Sequence, residues 1–389
     1  MKILLSVQPI KYPLTGIGRY CYELAKEIEQ NAIIDEILYS NGDKIVGKIP
    51  EAGEFAQKLD NDRITKDKFR RLLAKNAIIV DIYRYYKSIS KVDPFKNLGD
   101  YIYHGPNFYV PKFPGASVVT IHDLSVFTMP DFHPRERVLY LSREIESSLD
   151  RAEMILADSD YIKAEIVSYF GISEERIGVA KLACGQEFHP RSARDTSSVL
   201  KTYDLEYHGY TLYAGTIEPR KNLSVLLEAY KRLPAHVRRQ YPLVLAGYKG
   251  WNNADIMARL DLGQREGWVK YLGFVPNDDL PVLYAGARLF AFPSLYEGFG
   301  LPVLEAMASG VPVLTSKRSS LPEVGASAVL YTDPEDVDGM RNDLERGLFD
   351  DAWRETAITD GLSQAGRFSW KQCAEDTIAV YRATLDRST

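Results

Sequence analysis

Short apolar runs alternate with polar, glycine-bearing loops and amphipathic stretches along the 389-residue chain. Lys2–Pro9 (KILLSVQP) opens with an apolar run of strand length, as a parallel strand covered on both faces requires. The loop Ile10–Gly18 follows, and an amphipathic helix is predicted over Tyr20–Glu29. Tyr101–Pro111 and Val118–Phe127 repeat the strand-then-loop pattern, each with a histidine at the strand end, His104 and His122. A helical region over Pro134–Arg151 leads to the strand Met154–Ala157 and the helix Tyr161–Phe170. The polar stretch from Phe188 to Asp204 reads as a linker. Beyond it come the strand Tyr210–Ala214, the loop Gly215–Asn222 (GTIEPRKN), the helix Leu223–Arg232 and the strand Leu243–Gly247. The tail from Trp353 to Leu385 is helical. Strand and helix alternate in both halves, which predicts an α/β protein built from a pair of Rossmann-like domains.

The most informative stretch runs from Leu289 to Leu314. Leu289–Phe292 is a buried strand end, Ser294–Gly300 a polar loop, and Val303–Ser309 a helix with Pro302 in its first turn. Gly310 closes that helix where a left-handed backbone is tolerated, and Val311–Leu314 begins the next strand. Glu297 and Glu305 lie eight positions apart, with Gly298 and Gly300 between them. Carboxylates accept protons from hydroxyls, while bare amides and a helix N-terminus face anionic oxygen. The set suits a polyol attached to a diphosphate. The plainer alternative makes Glu297 a solvated loop residue and Glu305 a favourable first-turn acid. In the GTIEPRKN loop, Arg220 and Lys221 precede a helix and form a pocket for phosphate oxygen.

Composition narrows the classes. The chain is long enough for two or three domains, and its 45% apolar and 26% charged content is that of a globular protein. A net charge of −5 argues against nucleic-acid binding through phosphate contacts. Cys21, Cys184 and Cys373 have no metal spacing and fit a reducing cytosol. The apolar run at the N-terminus is too short for a signal peptide, and no run spans a bilayer, so a cytoplasmic protein is expected. Residues 63–91 stand apart, with nine basic residues against two acids, a local net of +7, and interleaved isoleucines and tyrosines. Such a segment suits an anionic membrane surface, though a merely solvated face has the same composition.

EGFGLPVLEAMASGVPV, with its paired Glu297 and Glu305, closely resembles the E-x7-E signature of family 4 retaining glycosyltransferases. The resemblance covers nearly the whole chain and is weakest at residues 40–95. It implies the GT-B fold, with two Rossmann-like domains facing a central cleft and a last helix crossing back to the first domain. The expected division is an acceptor-side domain over 1–190, a linker over 191–204, a nucleotide-sugar domain over 205–365, and the returning helix over 366–389. Glu297 is then expected beside the donor sugar and Glu305 on the ribose, with Gly298, Phe299, Gly300 and Leu301 completing the donor loop. GTIEPRKN resembles the family's G-R-x-x-x-x-K diphosphate grip, but Thr216 stands where an arginine is often found. Lys221 keeps its place, and Arg220 is expected to supply the missing charge. Gly16 and Gly18 resemble the family's N-domain glycine loop, without the third glycine of a dinucleotide fingerprint. His122 and Asp123 match a His-Asp pair that reaches the donor sugar, and His104–Pro106 resembles a second cleft loop. The segment holding Phe274 and Val275 resembles the one that contacts the nucleotide base, and Ser319–Glu323 a loop at the cleft edge.

Asp158-Ser159-Asp160 is a literal DxD, but strand, cap and helix account for it, so metal independence is expected. The resemblance implies mostly electrostatic catalysis without a cofactor, and a front-face displacement in which the leaving phosphate accepts the acceptor's proton. GTIEPRKN and HGPNFYVP most resemble bacterial enzymes of surface-polysaccharide synthesis, many of which use GDP-mannose. The expected partners are that donor and a saccharide acceptor, polyprenyl-diphosphate-linked if residues 63–91 hold the enzyme peripherally at a membrane. A UDP-hexose donor and a nucleotide-sugar-binding protein without transferase activity are the alternatives. A Rossmann oxidoreductase is disfavoured by the absence of G-x-G-x-x-G after the first strand.

Overall fold

Ile3, Leu4 and Leu5 of β1 (Lys2–Ser6) are fully buried, as a strand covered on both faces demands. Around it a seven-stranded sheet is ordered β3-β2-β1-β4-β5-β6-β7. Its other strands are β2 (Glu36–Asn41), β3 (Lys44–Val46), β4 (Ile102–Gly105), β5 (Ser117–Ile121), β6 (Met154–Ala157) and β7 (Ile177–Val179). Among the described residues β3 pairs antiparallel with β2, and the remaining pairings of this sheet are parallel. A second, six-stranded parallel sheet is ordered β10-β9-β8-β11-β12-β13. It comprises β8 (Thr211–Ala214), β9 (Leu243–Ala246), β10 (Val269–Gly273), β11 (Leu289–Phe292), β12 (Val313–Ser316) and β13 (Leu330–Thr332). This computed structural model describes residues 1–42, 44–51 and 94–388. The basic segment 63–91 therefore lies outside the described residues.

The chain forms two compact units: Met1–Asp158, Ile166–Ala180 and Ala374–Thr389 in the first, Ser159–Glu165 and Lys181–Cys373 in the second. The strand order reverses between β1 and β4 in one sheet and between β8 and β11 in the other. At such switch points the loops leaving the strands splay apart and leave room for a ligand at their carboxyl ends. In the second unit those loops are the two that the sequence singles out, GTIEPRKN after β8 and Pro293–Gly300 after β11.

Three local expectations need correction. Residues 191–204 are not an open linker, because Ala193–Thr202 is helical. Ser192 and Asp195 form a reciprocal capping box, and Thr196 and Leu200 are buried. The chain enters the second unit briefly at Ser159–Glu165 and again at Lys181, both ahead of the expected boundary at 190. Gly16 and Gly18 do not belong to a loop but to the first turn of the helix Gly16–Glu29.

The 19-residue helix Trp370–Ser388 contributes its residues from Ala374 onward to the first unit. A Cβ on Gly178 of β7 would stand 2.2 Å from Val380 Cγ2, so glycine permits that helix to lie against the sheet. Tyr381 fixes it from within: its hydroxyl meets His104 Nδ1 at 2.7 Å, and His104 Nε2 meets Thr120 Oγ1 at 2.8 Å. Tyr20 OH continues the chain to Thr120 at 3.0 Å. His104 is thus a buried part of the core and not a residue of an open loop. Burial, with the nearby His122, pushes its imidazole down to about 3.

Candidate functional site

β11 is buried throughout, and Lys221 Nζ lies 5.1 Å from the ring of its last residue, Phe292. After Phe292 the chain turns through Pro293–Gly300 into the helix Leu301–Ala308, with Gly300 at φ 118 and Pro302 in the first turn. Gly310 at φ 73 follows the helix in the left-handed conformation that glycine favours. The neighbouring loop is stitched to this one through its backbone. Leu295 N–H donates to the Arg220 carbonyl at 2.9 Å, and Ser294 Oγ donates to the same oxygen at 3.2 Å.

Those bonds bring four charges together. Lys221 Nζ is 2.5 Å from Glu297 Oε1, and Arg220 Nη1 is 3.5 Å from Glu297 Oε2. Arg220 Nη2 reaches Glu218 at 2.9 Å, and its Nη1 donates to the Tyr296 carbonyl at 2.7 Å. Glu218, Lys221 and Glu297 are all buried. Glu297 is therefore not a solvated loop residue: it is 7% exposed. Burial alone would raise its pKa, yet Lys221 and Arg220 outweigh it and hold the carboxyl below its usual range. Lys221 is displaced downward by burial and by Arg220, against the pull of the two glutamates.

Glu297 is held by its backbone as well. Its N–H donates to Ser319 Oγ at 2.8 Å, and Ser320 Oγ lies 2.8 Å from the carbonyls of both Glu297 and Phe299. Beyond that point the loop leaves backbone donors without partners. Among the described residues the backbone N–H groups of Gly298, Phe299, Gly300 and Leu301 make no hydrogen bond. Glu305 lies within the following helix and is half-buried. A carboxylate, two cations and four unbonded amides at a switch point can together take a diphosphate and the hydroxyls next to it.

The other expected residues fall unevenly. Phe274 is 46% exposed, whereas Val275 is packed inside, so only the former presents its side chain to a ligand. Phe274 stacks on Tyr248, which the sequence reading did not single out, with ring centroids 5.0 Å apart and planes at 22°. Thr216 is half-buried, and its carbonyl accepts from Tyr213 OH at 3.0 Å. Gly215 and Gly247, at φ 152 and 147, let the β8 and β9 loops touch, since a Cβ on Gly247 would meet Gly215 O at 1.9 Å.

In the first unit, His122 does not offer a ring nitrogen to a substrate. Nδ1 is 2.7 Å from Asp158 Oδ2, and Nε2 donates to the Pro106 carbonyl at 2.8 Å, all of it buried. Asp123 turns back on its own chain, where Oδ1 accepts from the N–H and Oγ of Ser125 at 2.9 and 2.7 Å. The DxD carboxylates diverge in environment. Asp158 is spent on His122, while Asp160 is exposed at the start of the helix Asp160–Phe170 and pairs with Lys181 at 2.8 Å. Ser159 Oγ caps that helix by accepting from Ile162 N–H at 3.2 Å.

Two α/β units on largely parallel sheets, with a glutamate and a basic pair at the switch point of the second, have the arrangement of GT-B glycosyltransferases, the class to which the similar solved structures belong. Residues 206–361 match the model of the glycosyl transferases group 1. The chain is 44% identical over 382 residues to the O-antigen chain mannosyltransferase B of Escherichia coli, covering 98% of this chain and 100% of that protein. The chain accordingly belongs to the group 1 glycosyl transferases, in agreement with the resemblance to family 4. Its fold is similar to sucrose-phosphate synthase from Thermosynechococcus elongatus, at TM-score 0.70 and 20% identity over 100% of both chains. It is also similar to WaaG, a glycosyltransferase involved in lipopolysaccharide biosynthesis, at TM-score 0.65 and 14% identity over 96% of this chain and 98% of that one.

Proposed function

We propose that the protein transfers mannose from GDP-mannose to a saccharide hydroxyl during bacterial surface-polysaccharide synthesis, with retention at the anomeric carbon and without a metal. The observation that carries this reading is the buried Lys221–Glu297 pair at the switch point. The name of the Escherichia coli relative, matched over its whole length, favours mannose and a surface polysaccharide.

In this reading the donor exchanges partners with the pair. Lys221 turns to the diphosphate, Glu297 accepts from the sugar hydroxyls, and Arg220 stays on Glu218 and Tyr296 to balance the charge. Glu305 takes the ribose, the amides of Gly298, Phe299, Gly300 and Leu301 face anionic oxygen, and Phe274 lies against the base. The bond from the anomeric carbon to the diphosphate breaks, and one to the acceptor oxygen forms on the same face. The acceptor's proton passes to the departing phosphate oxygen. Fixed charge and dipoles stabilise the diphosphate as it leaves. The acceptor is polyprenyl-diphosphate-linked, and residues 63–91 bring the enzyme to the cytoplasmic face of a membrane. No helix among the described residues is long and apolar enough to cross one.

The test is a thermal-shift panel of GDP-, UDP-, ADP- and dTDP-sugars, followed by transfer from GDP-[3H]mannose to synthetic alkyl glycosides. A ligand at about 100 times its Kd adds roughly 2.7 kcal/mol of stability. GDP-mannose is expected to give the largest shift and labelled product. A larger shift with a UDP-hexose overturns the donor assignment, and binding without product for any acceptor overturns the transferase assignment.

A further inference from the structure

Glu297 sits in a loop, where a side chain ordinarily wanders, yet both polar groups of its own peptide are tied to the consecutive residues Ser319 and Ser320. Ser319 Oγ works in both directions: it accepts from Glu297 N–H at 2.8 Å and donates to the Arg318 carbonyl at 2.8 Å. It does so from a left-handed backbone, φ 50, which a serine adopts at some cost. Ser320 is fully buried and directs its single hydroxyl proton at the carbonyls of Glu297 and Phe299, each 2.8 Å away. Ahead of them, buried Ser316 donates to the Ser294 carbonyl at the start of the same loop, and Thr315 Oγ1 donates to the Phe292 carbonyl at 2.8 Å. From Thr315 to Ser320, the end of β12 and the chain after it direct four hydroxyls at the backbone between Phe292 and Phe299, and two of them converge on Glu297.

We propose that Ser319 and Ser320 are positioning residues for Glu297, setting where its carboxylate stands when Lys221 leaves it for the donor. Packing alone would be served by alanine, and covering a buried carbonyl would require one hydroxyl. A left-handed serine that takes the glutamate's N–H, beside a buried one that takes its C=O, fixes the peptide on both sides. The rotamer of Glu297 then starts from a set backbone, even while the ion pair that restrains its other end is open. The inference rests on the reading of Glu297 as the residue that meets the donor sugar.

Ser319→Gly separates this from a role in stability. Glycine is at ease at φ 50, so the variant keeps or raises the melting temperature while losing the hydroxyl. Transfer from GDP-mannose to an alkyl mannoside is expected to fall in kcat by about 10- to 100-fold, since a misplacement of about 1 Å costs about 100-fold. The Kd for GDP, which lacks the sugar, stays within about twofold in calorimetry, which a loosened fold would not allow. Ser320→Ala behaves alike in kcat and GDP affinity. In a Glu297→Gln background, neither substitution lowers kcat further by more than about twofold, because residues that act through one another are not additive. Parent-like kcat in Ser319→Gly and Ser320→Ala, or losses that multiply in full onto Glu297→Gln, overturns the inference and leaves Glu297 in its role. Parent-like kcat in Glu297→Gln itself removes both.

Discussion

Lys221 Nζ and Glu297 Oε1 stand 2.5 Å apart, both buried, although they lie 76 positions apart in the chain. Removing either partner strands the other charge in a poorly solvated place. Glu297→Ala is therefore expected to abolish transfer and also to destabilise the second unit, by about 3–5 kcal/mol less whatever Arg220 recovers as a partner. Lys221→Ala should lower kcat/KM by about 2–4 kcal/mol in transition-state terms. The double variant Lys221→Met, Glu297→Gln should unfold closer to the parent than Glu297→Ala does. Urea unfolding beside steady-state kinetics checks all three, and a Glu297→Ala protein as stable as the parent would contradict the burial argument.

Arg220 is expected to serve the loop more than the leaving group, because its guanidinium is already divided between Glu218, the Tyr296 carbonyl and Glu297. Arg220→Lys keeps the charge but cannot fork between partners. If Arg220 replaces the arginine missing at Thr216, the lysine variant retains most activity and the alanine variant loses it. If it is mainly a brace, both lose melting temperature together with kcat.

Glu305→Ala should chiefly raise the donor KM, because the residue is half-buried on the helix Leu301–Ala308 and is read as the group that takes the ribose. An unchanged KM contradicts its ribose role. Phe274→Ala and Tyr248→Ala should each weaken GDP binding by about 1–3 kcal/mol if the stacked pair meets the base, on the scale of base–aromatic stacking. Titration calorimetry with GDP reads both.

Two interior histidines of the first unit, His104 and His122, should give opposite pH dependences. His104, held down to about 3, stays neutral when folded but takes a proton below pH 6.5 when unfolded. Stability from this residue is full above pH 6.5 and drains between pH 6.5 and about 3, on the order of 5 kcal/mol in total. Burial opposes a charge on His122, but Asp158 at 2.7 Å outweighs it and raises the pKa. Its contribution is present below pH 6.5 and is lost as pH rises through the folded value. Melting curves for His104→Gln should flatten on the acid side, and those for His122→Asn above pH 6.5. The reverse assignment of limbs would refute the two environments.

Strand positions and the helix after Gly300 were legible because buried parallel strands read as unbroken apolar runs, and glycine and proline mark the turns. Both loops of the site were legible for the same reason. The serines at 319 and 320 were not, since a hydroxyl aimed at a backbone atom in another loop leaves no trace of spacing or composition. The capping box at Ser192 was present as S-x-x-D but was masked by a polar surround that reads as linker. A lone histidine at a strand end is more often structural, and His122 looked available only because, with Asp123, it matches the pair that the family resemblance brings to the donor sugar. Only three-dimensional neighbours, Asp158 and Pro106, show that both of its nitrogens are spent.

Tyr381 bonds to His104 across 277 positions, and residues 374–388 belong with strands made near the start of the chain. The second unit is complete in sequence at Cys373, ahead of the residues from Ala374 onward that the first unit needs. The first unit, begun earliest, must wait with part of its sheet uncovered until the helix has left the ribosome. A chain truncated after residue 373 should therefore resist protease over residues 181–373 and be cut readily before residue 158. Order of birth and order of completion run in opposite directions in this protein.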